Sequence, residues 1–193
     1  MTNTAAPRGL AARWPTALAL VTIAGALVLI IGTDREAEFF GPAVATMAGI
    51  YLMAYAIGRP WTAWVAFAVL SAVASVFHTL TVADVWSVEP GIGMTAVLVV
   101  LWLWVIARRR FTESTFSLET AGMVFFGAIT VLVVATESTT AIVLAGLGWL
   151  FHGAWDAYHF RQNTIVNRPW SEYCGVIDLA VGTSLLIAAA AAA

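Results

Sequence analysis

Apolar runs about as long as a bilayer is thick recur along this chain. They leave almost no room for anything else. A membrane-crossing helix needs about 20 mostly apolar residues. Seven stretches meet that need, at roughly 15–32, 40–58, 61–82, 91–108, 119–136, 139–160 and 171–190. The links between them are short and hold Asp, Glu, Arg, Gly and Pro. Of the 193 residues, 61% are hydrophobic and 10% charged, against about 25% charge in a soluble domain. The reading is an all-α integral membrane protein, one transmembrane domain over residues 1–193 built as a seven-helix bundle. A bacterial cytoplasmic membrane is the expected location.

The first run follows Arg8 and Arg13 and resembles a secretory leader. It is longer than the usual leader core, and no small-x-small cleavage signal precedes Asp34, so it reads as a retained first span.

Arginine placement sets the expected orientation. Arg8, Arg13, Arg59, Arg108–Arg110, Arg161 and Arg168 fall at one end if there are seven spans. The other end has Arg35 among Asp34, Glu36 and Glu38, then Asp84, Glu89 and Glu137. The N-terminus is therefore expected in the cytoplasm and the C-terminus outside. Tryptophans such as Trp14, Trp61, Trp64, Trp86 and Trp170 fall near span ends, as interfacial anchors do.

Composition also excludes some chemistry. All nine basic residues are arginines, so a Schiff base to a lysine amine is ruled out. The single cysteine, Cys174, excludes an internal disulfide and any CxxC motif. No basic run with interleaved aromatics suggests nucleic acid. The expected partners are membrane lipids and a lipid-like or small-molecule substrate.

The polar groups concentrate between Gly148 and Asp178. Ionisable groups inside a span are costly and mark functional sites by default. His152, Asp156 and His159 recur at i, i+4, i+7 and share a helix face. In the next span Ser171, Cys174 and Asp178 share another. The short link between the spans makes them antiparallel neighbours, which brings Asp178 near the depth of Asp156 and His152.

Imidazole and carboxylate together suit zinc or another divalent metal. His152 and His159 stand about 10.5 Å apart along the axis, too far for one ion to hold both. The expected ligands are His152, Asp156 and Asp178. His159 and Glu172 are then the candidate catalytic acid–base groups, with Cys174 and Ser171 in support. Glu172 points about 120° away from Asp178 and is expected nearer the headgroups. Tyr51 and Tyr55 share a face from which either could reach the cluster, although an interfacial belt explains them equally.

Three functions are compatible with this pattern. One is a metal-dependent, membrane-embedded hydrolase or lipid-modifying enzyme. Another is a proton-coupled small-solute carrier using the same groups as a relay. The third is a non-catalytic subunit whose polar cluster locks helices together. A carrier reading gains from a faint echo between VFHTLTVAD at the end of the third span and LFHGAWDAYH in the sixth, which would make spans two to four an inverted copy of five to seven.

Seven spans, an inward N-terminus and an inner-leaflet His/Asp site resemble the progestin/adipoQ receptor and alkaline ceramidase superfamily, membrane-embedded zinc hydrolases of lipid amides. That superfamily pairs its last histidines as HxxxH in the final span. Here the last span carries Asp178 and no histidine, so no residue is carried over.

Overall fold

The structure, a computed structural model, describes residues 10–32, 36–136 and 138–192. Arg8, Asp34, Arg35 and Glu137, used in the charge argument, lie outside the described residues. Seven α-helices follow one another: α1 (Trp14–Gly32), α2 (Glu36–Ile57), α3 (Ala63–Val82), α4 (Pro90–Ala107), α5 (Phe116–Ala135), α6 (Ser138–Gln162) and α7 (Arg168–Ala191). Short 3-10 turns precede α1 and join α2 to α3 and α4 to α5.

Six of these helices are long and apolar enough to cross a membrane. The exception is α6, which has the length, at 25 residues. His152, Asp156, His159 and Arg161 dilute its apolar character. The chain is thus an apolar helical bundle of the kind that resides in a bilayer. Apolar side chains such as Val21, Val28, Ile31, Val100 and Ile187 stand exposed on its outer surface, where lipid would cover them.

The bundle is built around α2. Neighbours on α3, α4, α5 and α6 all pack on it. It is 83% buried as a span, while α1 and α3 are 17% and 11% buried. Its sequence explains the position. Gly41, Ala43, Ala45, Ala48, Gly49, Ala54 and Ala56 let neighbouring backbones approach closely, as small residues do between membrane helices. Helix α1 is peripheral and docks on α7. There Thr16 bonds Glu172, and the Thr22 and Tyr173 hydroxyls meet at 3.1 Å.

The most extensive helix pair is α6 with α7. Their approach depends on glycine. A Cβ on Gly182 would stand 2.8 Å from the Gly146 carbonyl oxygen, a backbone atom that cannot swing away. At Gly175 a Cβ would meet the Asp156 Cβ at 3.2 Å. Helix α7 starts at Arg168, with the Asn167 side chain accepting from the Trp170 amide as its cap. That start is three residues earlier than the expected 171, and it sets Asp178 ten residues, or about 15 Å, into the helix.

One end of the bundle gathers Arg13, Arg59, Arg108–Arg110, Arg161 and Arg168. The other gathers Glu38, Asp84 and Glu89. The suggested inverted repeat does not appear in the helix pairings: α2 packs extensively on α4, whereas the equivalent α5 and α7 scarcely touch.

Candidate metal centre

His152 and Asp156 project from α6 one turn apart, and Cys174 and Asp178 from α7 one turn apart. The glycine-lined crossing brings the two pairs face to face. His152 Nδ1 lies 2.8 Å from Asp178 Oδ2 and 3.5 Å from Asp156 Oδ2. Cys174 Sγ lies 3.9 Å from Asp178 Oδ1. One ligand atom from each of His152, Asp156, Cys174 and Asp178 lies within 4.8 Å of all the others. His152, Asp156 and Asp178 are 0% exposed and Cys174 is 6% exposed.

The group has a third wall on α2. Tyr51 donates its hydroxyl hydrogen to Asp156 Oδ1. Its ring stands edge-on to His152, with centroids 5.5 Å apart. Asp156 Oδ2 and His152 Nε2 are buried without a hydrogen-bond partner. Ser171 Oγ is another buried atom without one.

Two carboxylates cannot both stay charged in an apolar interior beside one imidazole without further compensation. A divalent cation would balance them with the imidazole neutral. Mixed imidazole, carboxylate and thiolate donors fit zinc or iron. Metal–ligand bonds of about 2.0–2.3 Å imply donor-to-donor edges of roughly 3.3–3.8 Å. The observed separations of 2.8, 3.5 and 3.9 Å bracket that range.

The sequence-derived ligands His152, Asp156 and Asp178 are therefore together. Cys174, expected only in support, supplies a donor atom to the same group. Glu172 is elsewhere: half-buried, it bonds Thr16 on α1. His159 is also not one of the four donors. Its Nε2 is 3.3 Å from Glu119 Oε1, with both side chains almost wholly buried. Neither His159 nitrogen has a hydrogen-bond partner, nor does Glu119 Oε1. Glu119 escaped the sequence reading because a carboxylate at the first turn of a span passes for a headgroup residue.

Of the two tyrosines, Tyr51 reaches the centre. Tyr55, one turn on, donates to the Arg110 carbonyl at 3.0 Å, and the Arg110 guanidinium lies over its ring at 4.5 Å. His78 stands far from the group, its ring 4.9 Å from Phe39. Ser75 bonds the Ser71 carbonyl in its own helix.

No family model, no curated protein and no solved structure matches the chain. The architectural resemblance to the lipid-amide hydrolases gains nothing from these comparisons.

Proposed function

We propose that this is a seven-span membrane protein, N-terminus in the cytoplasm, that holds one divalent transition-metal ion inside the bilayer. The ligands are His152, Asp156 and Asp178, with Cys174 as fourth donor. The observation that carries this reading is the convergence of four buried donor atoms within 4.8 Å, two of them on carboxylates. Ionisable groups buried within a membrane span mark a functional site by default. The seventh span is α6, whose own polar groups lower its apolar content. The arginine-rich end faces the cytoplasm by the positive-inside rule.

A centre with four protein donors is closed, as structural sites are, whereas catalytic zinc keeps an open position. Hydrolysis at this centre would need Cys174 to stand aside for water. Glu172, on the α1 side of α7, and His159, facing Glu119, are not its neighbours in the donor set. The proposal therefore makes the chain a metal-binding membrane protein and assigns no hydrolytic step.

A metal-free lock between α6, α7 and α2 is the second reading. The direct His152–Asp178 contact at 2.8 Å and the Tyr51–Asp156 bond favour it. Elemental analysis of the detergent-purified protein separates the two. The metal reading expects close to one zinc or iron per chain, lost in Asp178→Asn and reduced in Cys174→Ser. Metal far below one per chain in wild type, with no change in melting temperature on chelation, would leave the lock.

A further inference from the structure

Among the described residues, the layers that flank the centre on its two sides differ in polarity. Toward the acidic end, the next layer is apolar and tight. The Phe126 and His152 rings stand 5.0 Å apart. At Gly148 an added Cβ would meet Val44 and Ile129 at 2.9 and 3.1 Å. Trp149 is fixed there by its indole N–H donating to the Phe40 carbonyl at 3.0 Å.

Toward the arginine end the order is different, and three helices give it independently. A cavity of about 410 Å³ opens there, lined by Tyr55, Arg110, Thr115 and Thr164 among others. One turn inward from Tyr55 on α2 is Tyr51, which bonds Asp156. One turn inward from Thr115 on α5 is Glu119. On α6, His159 lies one turn from Asp156 toward the link that follows the helix and carries Thr164. Each turn is about 5.4 Å, so Glu119 and His159 occupy the layer between the cavity and the centre. The His159 ring lies against Tyr51, with centroids 4.7 Å apart.

Three of the buried polar atoms that no hydrogen bond satisfies lie in this layer: both His159 nitrogens and Glu119 Oε1. Groups of that kind cost stability when left unpaired. A carboxylate and an imidazole 3.3 Å apart are a two-donor half-site for a divalent cation. We propose that Glu119 and His159 form a transfer site, taking a divalent cation from the arginine-end cavity and passing it to His152, Asp156, Cys174 and Asp178. The inference rests on the metal reading of the centre. Two donors hold a cation loosely and the four of the centre hold it firmly, so transfer runs inward. Arg110 does not bar the mouth with free charge, because Glu113 pairs with it at 2.8 and 2.9 Å.

The test follows loading of chelator-stripped protein with cobalt(II), read by the cobalt–thiolate absorption that Cys174 would give. Glu119→Gln and His159→Gln are each expected to load at least about tenfold more slowly, with the final absorbance and the melting temperature of the loaded protein unchanged. A maleimide on Thr164→Cys should also slow loading, and one on Thr136→Cys, at the opposite end, should not. Unchanged rates in both variants, or a block from Thr136 alone, would overturn the transfer site while leaving the centre intact. Loss of the final absorbance along with the rate would make the pair a support for the fold and would also overturn it. If wild type takes up no cobalt, the centre itself is refuted and the transfer site with it.

Discussion

Tyr51 holds one oxygen of Asp156 by a hydrogen bond from α2, and the other Asp156 oxygen faces His152 without a hydrogen-bond partner. The carboxylate is thus oriented by one helix and presented by another. Removing the hydroxyl in Tyr51→Phe leaves a buried acceptor unpaired, at a cost of about 1–3 kcal/mol. Metal affinity should fall about 10–100-fold, as it does when a partner that orients a ligand is lost. Thermal unfolding in detergent and competition with a chromophoric chelator measure the two effects. An unchanged affinity would mean that Asp156 is not a ligand.

Asp178 should matter far more than Glu172, although only six positions separate them. Asp178→Ala strips His152 of its closest polar contact inside the bundle and should cost more than about 3 kcal/mol, the scale for breaking a buried charged pair. Glu172→Ala removes a half-buried bond to Thr16 and should cost about 1 kcal/mol. Equal melting temperatures for the two variants would contradict the depth assigned to Asp178.

The crossing of α6 and α7 can be tested without touching a donor. Gly182→Ala drives a methyl against the Gly146 carbonyl, so the helices must separate. A cost of about 1–3 kcal/mol is expected, the range for overpacking a tight interior. Because the donors sit on both helices, metal affinity should drop in the same variant. Wild-type affinity with lowered stability would show that the centre tolerates a wider crossing.

Glu113 offers a pH test outside the spans. Hydrogen bonding from Arg110 holds its carboxyl below the usual carboxylate range. A lowered folded-state value means stabilisation that is full above the unfolded value and disappears as pH falls through the folded one. The pair is largely exposed, so its worth is below about 1 kcal/mol. Wild type should exceed Glu113→Gln in melting temperature slightly at neutral pH, with the gap closing in acid. A gap independent of pH would remove the ion pair as its cause.

Orientation is checked by cysteine labelling in a Cys174→Ala background. Gln162→Cys should react only with membrane-permeant reagent in intact cells, and Val88→Cys with impermeant reagent. The reverse pattern would invert the protein in the membrane.

Helix positions were legible in the sequence because apolar runs of bilayer length have few alternatives. The His152, Asp156 and Asp178 grouping was legible for a related reason: helical spacing fixes which side chains share a face. Their closeness across α6 and α7 depends on Gly146, Gly175 and Gly182, and a glycine's role in an approach is visible only once its neighbour is known. The central place of α2 was not legible. Both α2 and α1 are apolar enough to cross a membrane, and their composition does not say which will be enclosed. Glu119 was hidden because its partner, His159, comes 40 positions later. A carboxylate at a span boundary is also ordinary unless its partner is in view.

The enclosure of α2 bears on how such a chain is made. All four helices that pack on it, α3, α4, α5 and α6, are synthesised after it. Until α6 arrives, the Tyr51 hydroxyl has no Asp156 carboxylate to meet. A nascent chain stalled after α5 would leave the Tyr51 hydroxyl without its carboxylate, and so open to the quality-control machinery that reads unpaired polar groups within the bilayer.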